Sequence, residues 1–563
     1  MSDSSKKQNF LHGAALLAMA TAVVKVIGAL YKIPLKMIIG DSGFSDFSVA
    51  YQIYSVLLMI STAGLPIAMS RMISQADAQG QYGQVRQVFR VSRRIFWWLG
   101  LAGSAMMCLL CKPLANVMGY PDAWFAILCL GPCALLMCIM SYYRGFFQGQ
   151  ENMRPTSNSQ ILEAVVKLVI GLAAAFLVLK FTDSQSMAAG GAILGVTVSC
   201  LVSVLYLMGK FRPAYQRLPQ SREQVWSAGQ TTKEQLKIAV PITIGSVGLN
   251  LLTLLETGVY TNRVVDLVEA NRYTLPLVDT LKQELLADGV AAEKLASKVV
   301  SNLNGIYSFG QTLFNMPGAF IVPITVSIIP AITAQLTMHN PKEVQNVEES
   351  AARITGLMCW PCAVGLALLA SPIMSVLGGY RGERNDLATQ ILMLLGTTVL
   401  PYGIILYTNA VLQAHGKAHL PVINMLGCGV AKLVMVYILA GNPYLGILAA
   451  PVCTLVCNTA IAALNLFAIS RVVPQKPKLV RNLLRPALSA ALMGAAVFAT
   501  YYAMQTWMGI QMSTSVGALL LCGVPVCVGV VVYLVCIVVL RAIRKEDLQL
   551  IPKGEKLAKL LHM

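Results

Sequence analysis

The chain has 563 residues, of which 56% are hydrophobic and only 12% charged, and its mean hydropathy is +0.65. Soluble proteins carry about 25% charged residues, so this composition excludes an ordinary soluble domain and indicates an integral membrane protein. The formal net charge of +18 is no sign of nucleic-acid binding, because the basic residues are spread along the chain rather than gathered in one patch.

Apolar runs of about 20 residues, each long enough to cross a bilayer, recur from the N-terminus onward. They predict an all-α membrane protein with fourteen transmembrane helices. In chain order these lie near 10–35, 48–70, 92–111, 123–146, 156–179, 188–209 and 235–260, then 302–335, 352–376, 387–412, 420–440, 444–469, 485–505 and 515–540. The first span follows "MSDSSKKQNF" with no small-residue cleavage site, so a cleavable signal is not expected.

The basic residues orient the spans. Most Lys and Arg fall in the segments that are cytoplasmic if the N-terminus is cytoplasmic, while "GDSGFSDF", "GNPYLG" and "QTWMGIQMS", on the other side, have none. Both termini are then expected inside. Residues 1–210 form an N-lobe of six spans and 211–234 a cytoplasmic linker. Residues 235–470 form a second lobe, with an extracellular connection at 261–300 that has helical spacing for one or two short helices. Residues 471–541 carry two further spans, and the basic tail 542–563 is expected to rest on the anionic inner leaflet.

An internal repeat supports two lobes. "YYRGFFQGQENMRPTSNSQILEAVVKLVIG" (142–171) has a counterpart in "LYTNAVLQAHGKAHLPVINMLGCGVAKLVM" (406–435). Tyr142 matches Tyr407, Gln148 matches Gln413, and Lys167-Leu168-Val169 matches Lys432-Leu433-Val434. Transporters built from duplicated halves place their substrate site between them.

Seven ionisable side chains fall well inside the expected spans: Lys25, Lys32, Lys36, Glu163, Lys167, Glu256 and Lys432. A charge at mid-helix costs about 2.5–3.5 kcal/mol to insert, so these groups should face a wet interior rather than lipid. Helical spacing brings Lys25, Lys32 and Lys36 to within about 20° of one another, which makes a basic stripe. Two local readings compete. Lys36, and less readily Lys32, can snorkel to the outer interface, and Glu163 and Lys167 are spaced as an i, i+4 ion pair. Five lysines against two glutamates make the interior basic, which suits an anion, and lysine binds phosphate as a point charge. Lys167 and Lys432 are therefore expected to hold an anionic head group, such as the pyrophosphate of a lipid carrier. Glu163 and Glu256 are the candidates for coupling to H+ or Na+.

Pro66, Pro317, Pro323 and Pro330 lie within or beside spans 2 and 8, where they bend helices either statically or as part of a rocking motion. The pairs Cys108/Cys111 and Cys359/Cys362 have redox or metal spacing but lie in apolar runs, where packing is the expected role. His415 and His419 have the i, i+4 spacing of a metal pair but flank a proline break and read as loop residues. No P-loop, catalytic constellation, metal site or cofactor is expected.

The segments "GLPIAMSRMISQ", "YYRGFFQGQENMRPTSNSQILE" and "LFNMPGAFIVPITVSIIPAITA" resemble the polysaccharide-transport branch of the multidrug/oligosaccharidyl-lipid/polysaccharide (MOP) exporter superfamily, of the stage V sporulation protein B and lipid II flippase type. The resemblance covers roughly 10–540. It implies a two-lobed flippase of the bacterial cytoplasmic membrane. Such a protein turns lipid-linked oligosaccharides or peptidoglycan precursors to the outer leaflet without chemistry on the cargo. It also implies that Lys25, Lys32 and Asp46 contact the cargo, with Arg71 the only basic residue near span 2 and none in span 8. A monomer whose partners are its lipid-linked substrate and the membrane lipids is expected, driven by membrane potential, Na+ or H+. A cation-coupled multidrug antiporter is the alternative, and it predicts an acidic cavity.

Overall fold

The computed structural model describes residues 3–62, 64–219, 225–510 and 514–543, and all regular structure among them is helical. Lipid offers no hydrogen-bond partners, so apolar runs of this length satisfy their backbone groups internally, as helices. The basic tail expected at 542–563 lies almost wholly outside the described residues.

The chain divides into two compact units. The first comprises Met1–Glu269 and Glu284–Gly305. It contains α1 (Asp3–Thr62), α2 (Leu65–Ala78), α3 (Tyr82–Leu109), α4 (Cys111–Val117), α5 (Trp124–Gly149), α6 (Arg154–Thr182), α7 (Gln185–Gln216) and α8 (Ala228–Glu269). The second comprises Ala270–Gln283 and Ile306–Met563. Two helices run across the division, α9 (Pro276–Ala287) and α10 (Ala292–Thr337). They are followed by α11 (Pro341–Leu368), α12 (Ala370–Gly378), α13 (Gly382–Ala414), α14 (His419–Ala440), α15 (Ala449–Val472), α16 (Leu479–Thr506) and α17 (Ser515–Val539).

Ten of the described helices are long and apolar enough to cross a membrane, or eleven if α3 and α4, bent by 68° at Leu110, act as one span. The 261–300 connection is built from the end of α8, the short α9 and the start of α10.

Spans 1 and 2 depart from the expectation. The polar stretch at 40–47, expected as an outer loop, is helical, and α1 runs through it with a single break at Gly40 (φ 68°). A side chain there would be strained by the backbone and would also collide with Gln185. Asp41, Ser42 and Ser45 of this stretch find partners inside the unit. Ser45 accepts a hydrogen bond from Asn304 Nδ2 at 2.8 Å, and Ser42 meets Ser301 Oγ at 3.4 Å. Lys36 and Asp41 pair across the break at 3.4 Å. The chain then ends α1 at Thr62 and restarts as α2, with Pro66 in the first turn, where its missing N–H costs nothing. Gly64 at this joint lies against α8, and a Cβ would come within 2.2 Å of the Ala239 carbonyl oxygen.

In the first unit α6 packs along α7, α3 along α5 and α1 along α6. In the second, α13 packs on α11 and α15, and α16 on α11 and α17. A buried cluster of Ile328, Ala351, Val411, Leu412 and Ile469 joins α10, α11, α13 and α15. His415, at the end of α13, meets the fully buried Glu348 of α11 at 2.8 Å, which accounts for this histidine without a metal. The Tyr533 hydroxyl of α17 donates to the Leu357 carbonyl of α11 at 2.7 Å. All fourteen cysteines are free thiols, Cys359 buried and Cys362 half-buried among them.

A basic cavity within the first unit

The face of α5 that carries Met137, Ser141, Arg144 and Gln148 has helical spacing, and so does the face of α6 that carries Gln160, Glu163 and Lys167. Both faces line one cavity of about 600 Å³. The break at Gly40 matters here, because α1 contributes from both of its arms: Lys25 from the first, Tyr51 and Tyr54 from the second. Among the described residues the charged lining is Lys25, Arg144, Lys167 and a single carboxylate, Glu163. The cavity is therefore net basic.

Arg144 and Glu163 form an ion pair at 3.0 Å, and the Arg144 Nε donates to Ser159 Oγ at 2.9 Å. Ser159 Oγ in turn donates to the Thr156 carbonyl at 2.7 Å, so the guanidinium is fixed by the first turns of α6. The pair corrects the i, i+4 reading of Glu163 and Lys167: the carboxylate belongs to Arg144. The Lys167 ammonium instead lies over the rings of Tyr51 and Tyr31, at 5.7 and 5.9 Å from their centroids. Lys32 approaches the same Tyr51 ring at 5.5 Å. Aromatic faces attract cations without supplying a counter-charge, so neither ring contact neutralises its lysine.

The other sequence candidates stand elsewhere. Lys36 is buried against Asp41 instead of snorkelling to the interface, and that pair accounts for its charge. Asp46 is 1% exposed on the second arm of α1, and its Oδ2 has no hydrogen-bond partner among the described residues. Glu256 is buried on α8 beside Thr257, whose hydroxyl donates to Gln52 at 2.7 Å. Arg71 is exposed on α2 and does not line the cavity. Lys432 is half-buried on α14 in the second unit.

Sequence reasoning missed Arg144, which lies at the very end of expected span 4. Helix α5 continues to Gly149 and draws it inside. The signal was the spacing: Ser141, Arg144 and Gln148 share one helix face with the apolar residues before them.

The fold has close counterparts among solved structures. A lipid II flippase MurJ in an inward closed conformation superposes with a TM-score of 0.65 at 12% identity, covering 93% of this chain and 98% of that one. An inward-facing multidrug resistance MATE family transporter of the MOP superfamily gives 0.60 at 14% identity, over 81% and 98%. The fold is thus that of a MOP-type, multi-pass helical membrane transporter.

The sequence places the chain further. The family profile described as polysaccharide biosynthesis protein matches residues 10–335, more than half of the chain, and the profile described as lipid II flippase MurJ matches 288–518. The chain belongs to the polysaccharide biosynthesis protein family. The stage V sporulation protein B of Bacillus subtilis (strain 168) is 25% identical over 97% of this chain and 98% of its own length. The protein is a multi-pass protein of the bacterial cytoplasmic membrane.

Proposed function

We propose that this protein is a flippase that moves a lipid-linked oligosaccharide or peptidoglycan precursor from the inner to the outer leaflet by alternating access. The observation that carries the reading is the basic cavity: three cations and one carboxylate among the described lining residues, with one further lysine, Lys32 of α1, stacked on the Tyr51 ring beside it. Such a lining suits the pyrophosphate of a lipid carrier, whose tail stays in the membrane. Lys25 and Lys167 contact the phosphates, Lys32 adds to the field, and Arg144 fixes the geometry with Glu163. Lys432 serves as the counterpart of Lys167 in the second unit, on the strength of the sequence repeat. Asp46 and Arg71 act at the cargo path, Lys36 stays with Asp41 as a structural pair, and Glu163 and Glu256 are the carboxylates available for H+ or Na+ coupling.

The topology in this reading has fourteen spans with both ends cytoplasmic. With α3 and α4 taken as one span, the eleven apolar spans become fourteen when the two arms of α1 are counted separately and α8 and α10 are added. No bond of the cargo is made or broken, no cofactor is required, and the protein acts as a monomer.

A cation-coupled multidrug antiporter remains the alternative because the MATE fold is shared. The basic lining opposes it, since organic cations would be repelled. Proteoliposomes separate the two. The flippase reading expects a fluorescent polyprenyl-pyrophosphoryl glycan to become accessible to a lectin on the far side, with no export of a cationic dye. Dye export without glycan movement would replace it by the antiporter.

A further inference from the structure

The cavity contains a second kind of chemistry that a pyrophosphate does not use. At about 600 Å³ it has the size of a site for a drug-sized ligand, well beyond a pyrophosphate alone. Its lining includes the neutral hydrogen-bonding side chains of Thr21 on α1, Ser141 and Gln148 on α5 and Gln160 on α6. Among the described residues two of these have an unanswered group: Ser141, 2% exposed, has no partner for its Oγ, and Gln160 has none for its Oε1. Buried polar atoms are nearly always paired, because an unmet one costs about 1–3 kcal/mol. Two in one cavity wall mark a place where a ligand supplies the missing bonds.

The surrounding groups say which ligand. Glu163 offers carboxylate oxygens a few residues from Gln160 on the same face of α6, beside the fixed guanidinium of Arg144. Tyr51 and Tyr54 add two aromatic rings, 5.2 Å apart between centroids. Amide, hydroxyl and carboxylate groups meet the alternating donors and acceptors of ring hydroxyls, and flat aromatic faces cover the C–H face of a pyranose. A phosphate wants only donors. A plain lipid tail wants neither.

We propose that Ser141, Gln148 and Gln160 form a sugar subsite, which holds the first pyranose of the cargo while the lysines hold its pyrophosphate. The proposal rests on the flippase reading and adds a specificity to it: the protein distinguishes a glycosylated carrier from the bare carrier before it moves anything.

The test measures binding by the full-length protein in lipid nanodiscs. The probes are polyprenyl pyrophosphate, polyprenyl-pyrophosphoryl-N-acetylhexosamine and the uncharged polyprenol. Wild type should bind the sugar-bearing carrier about tenfold more tightly than the bare one, as two added hydrogen bonds allow. Ser141→Ala and Gln160→Leu should each bring that ratio toward one, with thermal melting in detergent used to check that both variants fold. Lys167→Ala should weaken both charged probes. Equal binding of the two charged probes by wild type overturns the sugar subsite and leaves the phosphate reading standing. Retention of the full ratio in both variants likewise overturns the assignment to these residues. Binding of the charged probes no tighter than polyprenol overturns the flippase reading itself.

Discussion

Arg144 of α5 and Glu163 of α6 are paired at 3.0 Å on the wall of the cavity, and the pair joins the two helices that supply most of its polar lining. Removing one partner strands the other in a poorly solvated place. Loss of one member of a fully buried pair costs about 3–5 kcal/mol. These side chains keep 13% and 18% exposure, so Arg144→Ala is expected to destabilise by about 2 kcal/mol. The double variant Arg144→Ala/Glu163→Ala should recover most of that loss. Melting curves of the four proteins in one detergent give the coupling; strictly additive effects would show that the pair contributes nothing to stability.

Lys167 is predicted to act on transport and not on folding. Its ammonium lies over two tyrosine rings and needs no carboxylate to keep it in place. Lys167→Gln should lower flipping by at least about tenfold, the loss of one charge-assisted phosphate contact, while the melting temperature stays near that of wild type. A large drop in melting temperature would make the residue structural.

The α6–α7 contact should tolerate no side chain at Gly195. A Cβ there would lie 2.3 Å from the Gly171 Cα, inside any van der Waals distance. Gly171 is itself packed against the Tyr31 ring, so neither helix has room to yield. Gly195→Ala is expected to cost about 1–3 kcal/mol and to loosen the wall that holds Lys167. Insertion yield and thermal stability measure this directly; a variant as stable as wild type would mean that the helices separate freely.

In the second unit, His415→Leu should be among the more damaging single changes. It leaves Glu348, which is fully buried, with no ion-pair partner inside the apolar cluster of α10, α11, α13 and α15. The expected cost is about 3 kcal/mol, relieved in part by adding Glu348→Gln, which removes the stranded charge. Both variants are read by thermal melting, and a single variant no less stable than the double one would contradict the assignment.

Much of this architecture was legible in the sequence, because a bilayer forces apolar runs of a fixed length into helices. Helices α5 to α7 and α13 to α17 fall where the runs are. The stretch at 40–47 was not legible. Its serines and aspartates look like a loop in the sequence, while in the structure the serines are met by Ser301 and Asn304 on α10, more than 250 residues away. Apart from Arg144, the charged residues of the cavity were found by the same test of burial cost, yet their partners were not. Glu163 had a lysine one turn away in sequence and an arginine opposite in space, and the arginine holds it. Lys36 sat near an expected interface, and Asp41, just beyond the Gly40 break, neutralises it. Spacing along one helix finds the face, while the choice of partner depends on the helix packed against it.

The most direct test of the account is lectin-detected flipping of a labelled polyprenyl-pyrophosphoryl glycan in proteoliposomes, for wild type, Lys25→Ala, Lys167→Ala and the double variant at matched insertion. The account predicts that each single change slows transport and that the double change abolishes it, while a surface control, Lys210→Ala on α7, transports as wild type. Transport by the double variant at the wild-type rate would contradict it, because the basic cavity would then play no part in moving the cargo.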